Sequence, residues 1–190
     1  MTVREDGPPA RAGLPEHAIF TVGHSTLSLR DFTAVLAGYG ITRLVDVRTI
    51  PRSRHNPQFN AEALARQMAA VGIDYLPMPA LGGLRHSRKD SPNTGWRNRS
   101  FRGYADYMQT AQFDSALADL IEAGRGARTA IMCAEALPWR CHRSLIADAL
   151  YVRGIPAVDI VSGTSWRIHE LTAFAVADGT ELSYPPQPCA

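Results

Sequence analysis

The sequence predicts an α/β fold with three layers, α/β/α, in which helices cover both faces of a mainly parallel, Rossmann-like sheet of five strands, with a hairpin at the C-terminus. Two observations support this prediction. Short apolar runs, typical of strands buried on both faces, alternate with amphipathic helical segments. Glycines and prolines separate these segments, as expected for strand-helix-strand units with right-handed crossovers.

The first half of the chain supplies three strands and two helices. In chain order they are a strand at 18–22, a helix at 28–40, a strand at 43–47, a helix at 60–72 and a strand at 73–78. Ser28 and Asp31 form a capping-box pattern at the start of the first helix, and Gly40 ends it. This succession predicts parallel pairing of the strands.

The second half begins with an unusually long connection at 79–100, which we expect to be functional or disordered. The segments that follow are helices at 101–109 and 112–123, a strand at 129–134, a helix at 139–153, a strand at 157–161 and a hairpin at 173–184. Residues 1–17 are predicted to be a flexible leader and residues 185–190 a disordered tail. One domain is therefore expected over 18–184.

Composition narrows the classes of protein to consider. The chain has 190 residues, 45% of them hydrophobic, and a net charge of +2, which does not demand a nucleic-acid partner. No apolar run is long enough for a membrane helix and no secretory signal is evident, so we expect a cytoplasmic protein with reduced thiols. Basic residues concentrate between positions 48 and 102, which indicates either an anionic ligand or a solvated loop.

Polar residues and glycines follow four of the predicted strands at their carboxyl ends, where open parallel sheets bind ligands. Arginine binds two oxygens of a phosphate or carboxylate at once, and adjacent glycines let backbone amides approach the same anion. The predicted ligand-binding residues are His24, Ser25, Asp46, Arg48, Arg52, Arg54, Gly82, Gly83, Arg102, Tyr104 and Arg143.

The segment after the fourth predicted strand holds the candidates for chemistry. With 139–153 taken as a helix, His142 lies on its buried face, Cys141 lies at the margin and Arg143 points away. Glu135 is a candidate partner for His142, and the two form either an acid-base pair or a structural pair. Cys141 is interpreted as a small buried residue.

Cys133 offers a different possibility, because it ends a strand and faces a helix N-terminus that stabilises a thiolate. With Asp46-Val47-Arg48 it gives the chain a partial resemblance to rhodanese-type sulfurtransferases, although Glu135 adds negative charge there. A metal held by Cys133, Cys141 and His142 is disfavoured, because adjacent helical residues diverge. No metal is predicted from the sequence, and the sequence does not identify a cofactor.

Aromatic and basic residues alternate in one segment. Trp96, Phe101, Tyr104 and Tyr107 lie among Arg97, Arg99 and Arg102, a pattern that can bind a nucleotide or a single strand, although core packing explains it as well. The sequence has neither a dinucleotide fingerprint nor a P-loop, which disfavours NAD and ATP-hydrolysis chemistry.

A series of motifs resembles a known bacterial family. They are Gly23-His24-Ser25, Asp46-Val47-Arg48 with Pro51-Arg52-Ser53, Asn56-Pro57-Gln58-Phe59, Leu81-Gly82-Gly83, Phe101-Arg102-Gly103-Tyr104-Ala105 and Cys133-Ala134-Glu135 with Cys141-His142-Arg143. In this order, over about residues 18–184, they resemble the domain of unknown function 488 family. The resemblance implies an α/β fold and a site built from these motifs, and it implies no activity.

The leading hypothesis is a basic pocket that binds or acts on an anionic, phosphate-bearing small molecule or nucleotide. Arg48, Arg52 and Arg54 would bind the anion, and Glu135 and His142 would act as acid and base. Two alternatives stay open: a non-catalytic module that binds nucleic acid through residues 85–104, and thiol or sulfur-transfer chemistry at Cys133. The sequence does not decide whether the protein is an enzyme, and its oligomeric state is unknown.

Overall fold

A six-stranded sheet forms the centre of the protein. The computed structural model describes residues 13–186, so residues 1–12 of the predicted leader (1–17) and residues 187–190 of the predicted tail (185–190) lie outside the described residues. The strands are β1 (Ile19–Gly23), β2 (Arg43–Asp46), β3 (Asp74–Pro77), β4 (Thr129–Cys133), β5 (Ala157–Ile160) and β6 (Trp166–Ile168). Their order is β3-β2-β4-β1-β5-β6, with the first five parallel and β6 antiparallel to β5. A separate hairpin joins β7 (Val176–Asp178) to β8 (Glu181–Ser183).

Helices cover both faces of the sheet. They are α1 (Leu29–Gly38), α2 (Ala61–Ala70), α3 (Arg99–Met108), α4 (Ala111–Arg125) and α5 (Arg143–Tyr151). Phe32 and Leu64 of α1 and α2 pack in the core on one face, whereas Leu117 and Leu145 of α4 and α5 pack on the other. The predicted three-layer α/β fold with a mostly parallel sheet and a C-terminal hairpin is therefore confirmed. Within residues 13–186 no helix is long and apolar enough to cross a membrane.

The residues at the two ends of α1 match the helix-end signals that the sequence contains. The Ser28 side chain accepts a hydrogen bond from the backbone N–H of Asp31 at 3.1 Å, which satisfies one of the free donors of the first turn. After the helix, Gly40 takes a positive φ of 68°, a conformation that glycine adopts without steric cost. Both predicted signals are thus used as expected.

Two elements differ from the prediction. β6 was not predicted, because it has only three residues, two of them exposed, which is too short a segment to establish an apolar alternation. The helix predicted from residue 139 begins only at Arg143, because a 3₁₀ turn at Pro138–Arg140 comes first and Cys141 is extended, with φ −133° and ψ 149°. The argument from helical divergence between Cys141 and His142 is therefore wrong.

The long connection before α3 is ordered by one buried carboxylate. Asp106 of α3 accepts hydrogen bonds from the backbone N–H of Arg88 at 2.8 Å and from the Asn93 side-chain amide at 2.8 Å. Asn93 in turn accepts the backbone N–H of Tyr184, and Trp96 packs against Tyr184 with ring centroids 5.6 Å apart. The connection is thus fixed between α3 and the segment that follows β8.

The strand register brings three strand ends to one edge. Gly23 of β1 pairs with Cys133 of β4, and Asp46 of β2 pairs with Met132 of β4. An added Cβ on Gly23 would lie 1.9 Å from the Glu135 carbonyl oxygen, so this position admits only glycine. The loops that follow β1, β2 and β4 consequently start side by side.

A buried polar cluster fastens the C-terminal segment to the sheet. The His169 imidazole contacts the Asp148 carboxylate at 2.8 Å and the Asp159 carboxylate at 3.7 Å, and all three side chains are buried. Asp148 also accepts the hydroxyls of Thr172, at 2.7 Å, and Tyr184, at 2.9 Å. Burial alone would lower the pKa of His169, but the hydrogen bond to Asp148 and the nearby Asp159 carboxylate raise it to about 9. His169 is therefore an imidazolium at neutral pH.

This cluster predicts a pH-dependent stability. Folding raises the pKa of His169 from 6.5 to about 9. The contribution of its charge to the free energy of unfolding is therefore complete below about pH 6.5, declines as pH rises and is lost above about pH 9. We expect His169→Gln to lower the free energy of unfolding by on the order of 3 kcal/mol at about pH 6, and by clearly less at about pH 9.5. Urea unfolding of both proteins at the two pH values measures this difference, and a difference that does not change with pH would contradict the assignment.

Candidate functional site

A cavity of about 520 Å³ opens at the carboxyl edge of the sheet. The loop between β4 and α5 lines it with Cys133, Cys141 and His142, and the loops after β2 and β3 line it with Ile50 and Leu84. Cys141 is buried and Cys133 and His142 are half-buried, whereas Ile50 and Leu84 are exposed. The cavity therefore joins a group of reactive side chains to an apolar rim.

Cys133, Cys141 and His142 converge although the two cysteines are eight positions apart in the sequence. The two sulfurs and an imidazole nitrogen lie within 4.8 Å of one another. Cys133 ends β4, and the 3₁₀ turn at Pro138–Arg140 carries the chain back, so that the extended Cys141 returns to it. Both thiols are free.

His142 is fixed by hydrogen bonds that differ from those predicted. Its Nε2 contacts the Val47 carbonyl oxygen at 3.1 Å and its Nδ1 contacts the Cys141 sulfur at 3.5 Å. Because a carbonyl oxygen only accepts, Nε2 donates to Val47, and Nδ1 faces the Cys141 sulfur. The predicted partner, Glu135, is exposed and instead accepts the backbone N–H of Leu137.

Gly83 allows the His142 ring to sit where it does. An added Cβ at position 83 would lie 2.5 Å from Nδ1 of His142 and 2.8 Å from its Cγ. Gly82 is similarly pressed against Thr49, whose backbone nitrogen would be 2.8 Å from an added Cβ. Gly83, which lines the cavity, therefore allows close packing on the imidazole, and Gly82 allows close packing on Thr49.

Arg143 is completely buried, which contradicts the prediction that it points away from the buried face of its helix. Its Nε donates to the Cys141 sulfur at 3.4 Å, and Nη1 donates to the Thr21 hydroxyl at 3.4 Å. Nη2 donates to the carbonyl oxygens of Glu135 and Ala136. The helix starts at Arg143 itself, and this first residue turns its side chain under the loop.

The charge of Arg143 has no carboxylate partner within salt-bridge distance among residues 13–186. A buried guanidinium requires a compensating negative charge or full hydrogen bonding. The group that it contacts and that can carry such a charge is the sulfur of Cys141. The position of Arg143 therefore favours a thiolate at Cys141.

The two thiols titrate as one unit. The pKa of Cys141 is lowered far below its usual range, chiefly by the neighbouring Cys133 thiol and further by His142 and Arg143, while burial opposes the shift. The pKa of Cys133 is raised by the neighbouring Cys141 sulfur and by burial. At neutral pH the pair holds one proton, on Cys133, and one negative charge, on Cys141.

Arg48 is predicted to bind an anionic ligand, but its guanidinium binds groups of the protein. Its guanidinium binds both carboxylate oxygens of Asp46, with Nε 2.8 Å from Oδ1, and Nη2 also donates to the Phe59 carbonyl oxygen. Nη1 lies 3.3 Å from Nε2 of His24. Burial lowers the pKa of His24 to about 4, so this ring is neutral and accepts from Arg48.

The remaining predicted ligand-binding residues are distributed over the surface and the core. Ser25 and Arg52 line an adjoining cavity of about 300 Å³ together with His24. Arg54 is exposed and lines neither cavity. Arg102 donates to the Trp96 carbonyl oxygen, and Tyr104 is buried with its hydroxyl on the Leu81 carbonyl oxygen.

Cys141 is the residue whose importance the sequence did not reveal. The sequence predicted a helical position for it, and a buried helical cysteine is usually inert. The available signal was Pro138, which starts the 3₁₀ turn, because a proline favours the first position of such a turn and so separates it from the helix that follows. Cys133, which was predicted as the nucleophile, carries the proton of the pair instead.

Cys133, Cys141 and His142 are residue types that also bind zinc. The described residues offer no fourth protein ligand within the group. Arg143 already places a permanent positive charge 3.4 Å from the Cys141 sulfur, and a second cation there would be repelled. The electrostatics therefore favour a Cys141 thiolate over a bound cation.

Comparison with protein families matches residues 28–150 to the family described as "Domain of unknown function DUF488". The matched range includes Arg48, Gly83, Cys133, Cys141 and His142, and also the buried Arg143. Neither the curated proteins nor the solved structures gave a match.

The shared proton predicts a thiolate signal that belongs to one cysteine. We expect wild-type protein, reduced and treated with a chelator, to show thiolate absorbance near about 240 nm at neutral pH, because Arg143 and His142 stabilise the Cys141 anion. Cys141→Ser should remove this absorbance. Cys133→Ser should keep most of it, because a serine hydroxyl still donates to the Cys141 sulfur. Loss of the absorbance in Cys133→Ser but not in Cys141→Ser would show that Cys133, and not Cys141, is the thiolate.

Proposed function

The chain belongs to the DUF488 family, whose description assigns no activity, and from the geometry of its cavity we propose that it catalyses thiol-disulfide exchange with Cys141 as the nucleophile and Cys133 as the resolving thiol. The observation that carries this proposal is the contact between the completely buried Arg143 and the Cys141 sulfur, with Cys133 alongside. A stabilised thiolate next to a second thiol is the arrangement that such exchange requires.

The first step is an attack by the Cys141 thiolate on one sulfur of a disulfide bound in the cavity. A bond forms between that sulfur and Cys141, the substrate disulfide breaks, and its other half leaves as a thiolate. Cys133 no longer donates its proton to an anion, so this proton passes to the leaving thiolate, with Nδ1 of His142 within reach to relay it.

The second step resolves the mixed disulfide. The Cys133 thiolate attacks the Cys141 sulfur, a bond forms between the two protein sulfurs, and the remaining half of the substrate leaves as a thiolate. The two cysteines lose two electrons and the substrate disulfide gains them, so its halves depart as one thiol, which carries the Cys133 proton, and one thiolate, which takes a proton from water according to its own pKa. No further oxidant or reductant takes part in this half-reaction.

The structure gives less support to the hypotheses of a phosphate pocket and of a nucleic-acid module. Arg48, the central residue of the proposed anion site, is saturated by Asp46 and by the Phe59 carbonyl oxygen. Of the aromatic residues proposed to stack on bases, Trp96 packs within a cluster of rings and Tyr104 is buried. Both thiols line the central cavity, Cys133 half-buried and Cys141 buried at its wall.

The assignment of roles predicts different outcomes for the two cysteine variants. With a small neutral disulfide such as hydroxyethyl disulfide, Cys141→Ser should not react, because it lacks the nucleophile. Cys133→Ser should stop at a stable mixed disulfide, because it lacks the resolving thiol. Mass spectrometry of the protein detects the adduct, and Cys141→Ser that still forms an adduct at the wild-type rate would refute the proposal.

Arg143 predicts the redox behaviour of the pair. Oxidation removes the thiolate and leaves the buried guanidinium without its anion, so the reduced form is stabilised and the couple is oxidising. Arg143→Met should make the reduction potential more negative, by about 30 mV for each unit by which the pKa of Cys141 rises.

Arg143→Lys keeps the charge but not the planar group, and it should shift the potential less than Arg143→Met. Equilibration with glutathione measures the potential of both variants, and far-UV circular dichroism verifies that they are folded. A potential unchanged in Arg143→Met would contradict the role of this arginine.

A further inference from the structure

The thiol cavity is the middle part of a longer groove. A neighbouring cavity of about 300 Å³ shares Arg48, Ile50 and Glu135 with it. On the other side, a cavity of about 630 Å³ shares Gly83 and Leu84. Because adjoining cavities are lined by the same residues, the three form one continuous depression, which we call the thiol groove.

The thiol groove is basic along its length. Arg52 lies at one end, Arg140 in the middle and Arg99 at the other end, and all three are exposed. None of these side chains has a hydrogen bond or an ion pair within residues 13–186. Glu135 is the one carboxylate among the residues that line the three cavities. The groove therefore complements a ligand with negative charges on both sides of its centre.

The rim beside the thiols is apolar. Ile50 is 62% exposed and Leu84 is 69% exposed, the two highest values among the large hydrophobic residues that the structure describes. Both line the central cavity, one from each of the loops after β2 and β3. Exposed apolar side chains that flank a reactive site indicate a partner that covers them. The occupant of the centre should therefore carry apolar groups.

The charge pattern alone would also fit a nucleic acid, but the aromatic residues do not. A single-strand site needs free aromatic faces for stacking. Among the residues that line the groove, Phe101 is the one phenylalanine, tyrosine or tryptophan, and its ring packs on Trp96 at a centroid distance of 4.7 Å. An extended peptide needs no such stacking, and its side chains supply both acidic and apolar groups.

We infer that the thiol groove binds an extended acidic peptide segment of a protein substrate, with an apolar residue next to the cysteine whose disulfide is exchanged. This inference rests on the proposed exchange function and names its substrate class. Acidic residues on either side of that cysteine contact Arg52 and Arg99, and the apolar residue packs between Ile50 and Leu84.

The first measurement is of binding alone. Short fluorescent peptides with serine in place of the cysteine cannot undergo disulfide exchange. Their fluorescence polarisation therefore measures binding to the thiol groove independently of the reaction. A peptide with glutamates on both sides of a Leu-Ser centre should bind about tenfold more tightly than its lysine counterpart at low salt, and the preference should shrink as salt rises. In the double variant Arg52→Ser/Arg99→Ser, the preference for the acidic over the basic peptide should fall to about twofold.

Arg125→Ser is the matched control, because Arg125 is an exposed arginine of α4 outside the groove. This variant should keep the wild-type preference. Equal binding of the acidic and basic peptides, or an equal loss of preference in Arg125→Ser, would overturn the inference. A labelled single-stranded oligonucleotide that binds more tightly than the acidic peptide would also overturn it.

The second measurement is of exchange. The same peptides with cysteine, each as a disulfide with thionitrobenzoate, release a coloured thiol when Cys141 attacks. The acidic peptide should react faster than the basic one by the same factor as in binding. If hydroxyethyl disulfide reacts but the acidic and basic peptides react at the same rate, the inference about the peptide substrate is wrong and the exchange function remains supported. If the acidic peptide binds preferentially but no disulfide reacts, the exchange function is wrong and the binding of acidic peptides to the thiol groove remains supported.

Discussion

A buried positive charge organises the carboxyl edge of this sheet. Removing a guanidinium from water costs several kcal/mol unless hydrogen bonds and an opposite charge replace the solvent. Arg143 obtains the hydrogen bonds from the loop carbonyls of Glu135 and Ala136 and from the Thr21 hydroxyl. The opposite charge comes from the sulfur of Cys141, and the ionisation of this cysteine follows from the need to balance the arginine.

The same arginine connects the thiols to the polar cluster in the C-terminal part of the chain. Thr21 accepts from Arg143 and donates to Asp159 at 2.9 Å, and Asp159 faces the His169 imidazolium. β1 and β5 place Thr21 and Asp159 directly opposite each other, so the link depends on strand register. Arg143, inside the matched range 28–150, is thus linked through the Thr21 hydroxyl to Asp159 and His169, which lie beyond it. The fold and the site depend on one electrostatic network.

Part of the site could be predicted from the sequence, and part could not. The motifs at the ends of β1, β2 and β4 were expected at one edge, and the register confirms that these strand ends adjoin. The roles of the individual residues within these motifs could not be predicted from the sequence. Arg48 and Asp46 are two residues apart, yet nothing in that spacing tells whether the arginine binds its neighbour or a ligand, because the answer depends on what surrounds them.

The sequence by itself determined the α/β class, the parallel strands and the position of α1, because apolar periodicity and capping residues act over a few neighbouring residues. The tertiary structure alone decided that Cys141 leaves the helix, that Arg143 turns inward beneath it and that Cys133 supplies the shared proton. The physical reason is that the ionisation of a buried group depends on charges and hydrogen bonds from distant segments. Their distances from the sulfur are set only when the sheet has assembled.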